Sequence, residues 1–200
     1  MKRSIELPAD LSARLVEDAK VGIRWEALGE ADILGKLKPS AVLLPLIRLN
    51  DQWQLIYTLR SVHLQDHCGQ VSFPGGSWEP NDSSLVETAL RESWEEIGLD
   101  PAAVKVMGCM APMAIATRFV ITPVVAVVEW PTELIVNPDE VDRVFSIPLD
   151  WLAEPANLEF RVHTHEGRDF DVAYFKHYDG EIVWGATAMM TLDFLRLLDL

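Results

Sequence analysis

Three glutamates, Glu92, Glu95 and Glu96, follow Arg91 at spacings that gather their carboxylates on one side of a helix. Like charges one turn apart repel by a few tenths of a kcal/mol per pair, roughly, and acids near a helix C-terminus also oppose the helix dipole. Arg91 can reach Glu87 or Glu95 one turn away, but one guanidinium cannot neutralise the whole cluster. A hard divalent cation can. Carboxylate oxygens are the ligands that Mg²⁺ or Mn²⁺ takes, with positions left for water and substrate phosphates. Taken alone, such a run more often means a solvated acidic face. Its surroundings tip the reading toward chemistry. Pro74-Gly75-Gly76 ends a short strand, the polar run Glu79 to Ser84 supplies turn and N-cap residues, and apolar periodicity begins at Leu85. The helix is expected to run to Ile97, with Gly98 as its C-cap, and with Val86, Ala89, Leu90, Trp94 and Ile97 forming its core side.

Phe73 to Leu99 resembles the Nudix box, G-x5-E-x7-R-E-U-x-E-E-x-G-U with U aliphatic. Gly76, Arg91, Glu92, Glu95, Glu96, Gly98 and Leu99 fit that pattern. Asp82 stands in the place of the first acid, one residue farther from Arg91 than the strict spacing, and Ser93 replaces the aliphatic residue after Arg-Glu. Upstream, Leu55 to Ser61 and His67 to Gly76 are similar to the motif L-L-T-x-R-S/A-x3-R-x3-G-x3-F-P-G-G of the coenzyme A pyrophosphatase subgroup, with Gln65 where that motif has an arginine. Trp184-Gly185-Ala186-Thr187 also resembles the start of the C-terminal helix in that subgroup.

The resemblance implies an α/β Nudix fold, a mixed sheet sandwiched between helices with the box as a loop-helix-loop. It further implies metal-dependent hydrolysis of the diphosphate of coenzyme A or an acyl derivative. Glu92, Glu95 and Glu96 would hold Mg²⁺ or Mn²⁺, with the backbone at Gly75 and Gly76 approaching metal and phosphate. Arg91 would orient the glutamates through a salt bridge. Glu92 can be ligand, base or both. Glu140, in Pro138-Asp139-Glu140-Val141, is the candidate additional acid, as ligand or general base. Substrate contacts are expected from Arg60, Ser61, His67, Gly69, Gly75, Gly76 and Arg118, with His63 crowding the same loop. The general box equally permits ADP-ribose or NADH as substrate, and a nucleotide-sensing domain is the non-enzymatic alternative.

The rest of the chain must position these groups. Its 200 residues, 49% hydrophobic and 24% charged, suit one domain with a real core. Residues 1–38 read as a helical extension packed on a domain spanning 39–200, with a helix over Leu7 to Lys20 that places Leu11, Leu15 and Val16 on one face. Ala41 to Leu49 and Trp53 to Leu59 read as a hairpin turned at Asn50-Asp51. Val104 to Ala111 and Phe119 to Trp130 read as strands, the second bent or bulged at Pro123. A strand through Val144 to Leu149, a hairpin over Leu158 to Tyr178 and a final helix rich in Met and Leu complete the order, and that Met-Leu pattern reads as core.

The net charge of −14 argues against nucleic acid as a partner and requires cations at the site to receive an anionic substrate. No apolar run reaches membrane-spanning length, no signal peptide is evident, and Cys68 and Cys109 lack metal spacing. The expectation is a cytoplasmic enzyme, monomer or homodimer, acting on a small nucleotide without membrane or nucleic acid.

Overall fold

The computed structural model describes residues 4–16, 37–64, 67–115, 119–165 and 168–200. A short helix α1 (Leu11–Arg14) precedes strands β1 (Lys38–Leu49), β2 (Gln52–Arg60), β3 (Val71–Ser72) and β4 (Gly75–Ser77). Helix α2 (Leu85–Ile97) leads to β5 (Val104–Cys109), β6 (Met113–Ala114), β7 (Phe119–Val128) and β8 (Val141–Pro148). Then come α3 (Leu149–Leu152), the hairpin β9 (Leu158–His165) and β10 (Arg168–Phe175), and α4 (Gly185–Leu197).

β1 is a nearly unbroken apolar run because both of its faces are covered. Ala41, Leu43 and Ile47 join Ile56, Val124 and Ala126 in one core layer with Leu85, Ala89 and Ile97 of α2. Leu44 and Leu46 join Leu55, Tyr57 and Val125 in the other layer, against Phe194 and Leu195 of α4 and Phe175 of β10. The result is a mixed sheet sandwiched between helices, as expected from the sequence. β1 runs parallel to β7 and antiparallel to β2, and β5 closes one side of the sheet. Asn50 and Asp51 both adopt positive φ, 52° and 60°, which suits a tight hairpin of matching twist.

That hairpin forks, and the fork is what builds the site. Near its turn β1 pairs with β2 through Leu46 to Leu49, whereas Ser40 to Val42 pair with β4 instead. At the other end of β2, Thr58 and Leu59 pair with β3. The segment β3–Phe73–Pro74–β4 is therefore wedged between diverging strands, pinned by the bond from Leu43 N–H to the Pro74 carbonyl (2.8 Å). Gly75 has φ of 154°, and a Cβ there would lie 2.3 Å from the Ala41 carbonyl oxygen, so only glycine brings the chain this close to β1.

Three expectations are corrected. Helix α1 is one turn: Leu15 is already extended, and Val16 bonds with Cys109 in both directions at 2.9 Å. Pairing with the end of β5 satisfies the backbone that a longer helix would have served. Leu11 and Leu15 are buried, but Val16 is 59% exposed, and positions 17–20 lie outside the described residues. Second, β7 passes through Pro123 with unbroken register against β1, and the irregularity falls in β5 between Val106 and Gly108. Third, α2 is rotated from its expected orientation. It buries Leu85, Thr88, Ala89, Ser93, Glu96 and Ile97, leaves Val86 and Leu90 half-buried, and exposes Trp94. Small side chains at Ala89 and Ser93 let the helix approach the sheet, and Ser93 satisfies its hydroxyl on the Ala89 carbonyl (2.7 Å). Among the described residues no helix is long and apolar enough to cross a membrane.

Candidate active site

Helix α2 starts where the sequence places it. Ser84 accepts from Glu87 N–H (3.1 Å), and Glu87 reaches back to the Ser83 N–H (2.7 Å) and hydroxyl, a reciprocal cap. At the other end Gly98 adopts φ of 64° and a Cβ there would collide with Ile135 at 2.8 Å, so the helix stops against that loop.

Arg91 holds the acids in place. Its guanidinium donates to both oxygens of Asp82 (2.9 and 3.0 Å), to Glu92 Oε1 (3.0 Å), to Glu95 Oε2 (3.0 Å) and to the Ser77 carbonyl (3.0 Å). The displaced Asp82 thus remains a full partner. It also accepts from Thr88 Oγ1 (2.8 Å) and Glu79 N–H (3.0 Å), and the Arg91 bonds above all pull its carboxyl down to about 2. The fork ties the helix to the strand end at Ser77, so the glycine turn and the glutamates form one unit.

Glu96 is 3% exposed and its Oε2 accepts the Gly75 N–H at 3.2 Å, while the Arg60 guanidinium lies 3.9 Å from Oε1. Burial outweighs those contacts and raises its carboxyl to about 8. Glu92 stands directly over Gly76, where an added Cβ would come within 2.4 Å of the carboxyl carbon. Burial raises its pKa too. The Glu140 charge adds, as the least of the causes, to the upward shift of Glu92 and of Glu96. Glu95 is half-exposed and turned to Arg91. Among the described residues no three His, Cys, Asp or Glu side chains converge into a ready metal cage. The donor set nevertheless fits a hard cation: two carboxyls whose ionised forms are disfavoured by burial, a third one turn away, and backbone brought close at Gly75 and Gly76.

The glycine turn beneath these acids opens onto a cleft of about 580 Å³. Arg60, His67, Gly75 and Gly76 line it, and Arg60 Nε is buried without a hydrogen-bond partner. Its far walls are apolar, built from Met113, Ile121, Phe170, Trp184 and Met189 among others. His67 Nδ1 is bonded to Gln70 Oε1 at 3.1 Å. Ser61 is fully buried behind the wall, where its N–H donates to the Glu140 carbonyl (2.8 Å), and Gly69 N–H donates to the Arg60 carbonyl (3.1 Å); neither lines the cleft. His63 is exposed and also stands outside it. Arg118 and Gln65 lie outside the described residues. Met189 and Met190 are core, as their periodicity suggests, and also line the cleft, while Asn137, which bonds to Glu140, carries no motif at all.

The forked β1–β2 hairpin thus holds a glycine turn beneath an acid-bearing helix. Residues 37–166 match the NUDIX domain family, and the chain belongs to it as a Nudix hydrolase, a pyrophosphohydrolase of small nucleotide-linked compounds. Among its relatives is the mouse (Mus musculus) "Peroxisomal coenzyme A diphosphatase NUDT7", 34% identical over 90% of this chain and 77% of that protein. The "Uncharacterized Nudix hydrolase NudL" of Yersinia enterocolitica is 39% identical over 74% of this chain and 75% of its own. A MutT/nudix family protein from Enterococcus faecalis shares the fold with a TM-score of 0.51, at 15% identity over 95% of this chain and 73% of that one.

Proposed function

We propose that this protein hydrolyses the diphosphate of coenzyme A or acyl-coenzyme A, giving 3′,5′-ADP and (acyl-)phosphopantetheine. The observation that carries the reading is a cleft lined on one side by Arg60 and by the glycine turn that Glu92 and Glu96 sit against, and on the other by apolar walls. That pairing suits an anionic diphosphate attached to an uncharged, flexible arm. The relation to a protein named as a coenzyme A diphosphatase supports it.

Glu92, Glu95 and Glu96, with backbone at Gly76, would hold Mg²⁺ or Mn²⁺. When bound, such an ion supplies neutralisation of the diphosphate charge and a lower pKa for the attacking water. Arg91 keeps Glu92 and Glu95 in place through the bonds anchored on Asp82. Arg60 and His67 face the diphosphate from the cleft wall, and Arg118 is kept as a further phosphate contact on the resemblance alone. Glu140 takes the proton of the water as its oxygen bonds to phosphorus and the bridging P–O bond breaks. No covalent enzyme intermediate is needed, and the exposed Cys68 has no part in the reaction. In this reading residues 39–200 are the hydrolase domain and 1–38 an extension, of which Leu11 and Leu15 join the core. Two cysteines, too few for a disulfide framework, fit work in a reducing, cytoplasmic setting.

The test is hydrolysis with Mg²⁺ or Mn²⁺ of coenzyme A, dephospho-coenzyme A, ADP-ribose and NADH, with Glu95→Gln as control. Preference for coenzyme A, lost in the variant, is the expected result. Preference for ADP-ribose or NADH would overturn the substrate assignment and leave the reaction class standing.

A further inference from the structure

We infer that Asn137 is a positioning residue that aims the Glu140 carboxylate into the site and locks it to helix α2. The inference rests on the proposed role of Glu140 as the proton acceptor.

Asn137 occupies the junction of three elements. Its N–H donates to the Glu96 carbonyl (2.9 Å), one of the carbonyls that the last turn of α2 leaves without an intrahelical partner. Its own carbonyl accepts from Glu140 N–H (3.1 Å) and Val141 N–H (2.9 Å), which closes the turn leading into β8. Its side chain does something separate. Oδ1 accepts from Asp139 N–H (3.2 Å), and Nδ2 donates to Glu140 Oε1 (3.1 Å). The first bond settles which end of the amide is oxygen, so the nitrogen must face the carboxylate. With the Glu140 carbonyl fixed by Ser61 N–H (2.8 Å), the residue is held at both its backbone and one carboxylate oxygen. In the proposed reaction the other carboxylate oxygen receives the proton. Because the backbone bonds of Asn137 survive any side-chain replacement, its structural and positioning roles can be separated.

Asn137→Asp keeps the shape and the oxygen that accepts from Asp139, but replaces the donor with a second anionic oxygen. Asn137→Ser keeps a short acceptor for the turn and removes the donor without adding charge. Each would be assayed in the wild-type and Glu140→Gln backgrounds, on whichever diphosphate the wild-type enzyme cleaves, with melting temperature recorded alongside. A general base contributes about 10² to 10⁴-fold, so losing its aim should lower kcat by about tenfold or more while KM changes less than about twofold. Melting should fall by no more than the few degrees that one lost hydrogen bond costs, and by the same amount in both backgrounds or less where Glu140 is gone. In the Glu140→Gln background the Asn137 replacements should add almost nothing, the signature of two residues acting as one unit. Full kcat in both single variants, losses that multiply with Glu140→Gln, or a kcat loss that tracks a loss of melting temperature would overturn the inference. A Glu140→Gln variant that keeps its kcat would instead remove the proton-acceptor assignment, and Asn137 with it.

Discussion

Replacing Glu96 with glutamine should stabilise the metal-free protein at alkaline pH while abolishing turnover. The unfolded carboxyl ionises near 4.5 and the folded one near 8, because burial beneath the glycine turn disfavours its charge. Below 4.5 both states are protonated and burial of the charge costs nothing. Between 4.5 and 8 the unfolded chain holds fewer protons than the folded one, so stability falls as pH rises, and above about 8 the full penalty remains. At about 1.4 kcal/mol per pH unit the interval is worth roughly 5 kcal/mol as a ceiling. Glutamine does not titrate and can still accept the Gly75 N–H, but its buried amide N–H₂ beside Arg60 introduces a pH-independent penalty of about 1–3 kcal/mol. The variant should therefore be the less stable protein near pH 4.5 and the more stable one at pH 9, there by about 2–4 kcal/mol. At about 2–4 °C per kcal/mol for a chain of this size, that is a readily measured rise in melting temperature. Thermal or urea melts in chelator across pH 4.5–9 are the assay. A difference between variant and wild type that stays flat with pH would refute the account of Glu96 as a carboxyl held against its own burial. A divalent cation should show the complementary effect, raising the wild-type melting temperature more at pH 9 than at pH 5 and leaving Glu96→Gln nearly unmoved.

Asp82, pulled down to about 2 from 3.8 by Arg91, gives stability that is fully present above pH 4 and lost as pH falls toward 2; Asp82→Asn should flatten that acid limb in urea melts. Arg91→Lys keeps the charge but loses the fork to Asp82 and should cost about 2–3 kcal/mol in denaturant unfolding, with kcat falling as Glu92 and Glu95 lose their anchor. Gly76→Ala places a Cβ 2.4 Å from the Glu92 carboxyl carbon, and the resulting displacement should lower kcat by about 100-fold in steady-state assays with a folded protein by circular dichroism. Tyr57→Phe removes a buried bond to Thr191 Oγ1 (3.0 Å) in the core layer that does not contain helix α2 and keeps the ring stacked on Phe73, so unfolding should become easier by about 1 kcal/mol with turnover unchanged.

The local frame of the site was legible in the sequence because it depends on short-range rules. The Ser84 cap, the Gly98 stop and the Asn50-Asp51 turn each follow from backbone preference, and each stands in the structure as expected. The two-sided burial of β1 was equally readable from its unbroken apolar run. What the sequence could not settle was which way α2 faces. Its apolar residues and its acids both recur with helical spacing, and counting hydrophobicity puts Trp94 inside and Glu96 outside. Packing reverses both, because the small Ala89 and Ser93 let the helix settle onto the sheet and carry Glu96 over Gly75. The forked hairpin, the single turn of α1 paired to Cys109, and the hold of Asn137 on Glu140 likewise arise from bonds between elements. Local pattern determined which groups this protein has for its chemistry; the competition of distant segments for the same backbone partners and buried space decided where each carboxylate points.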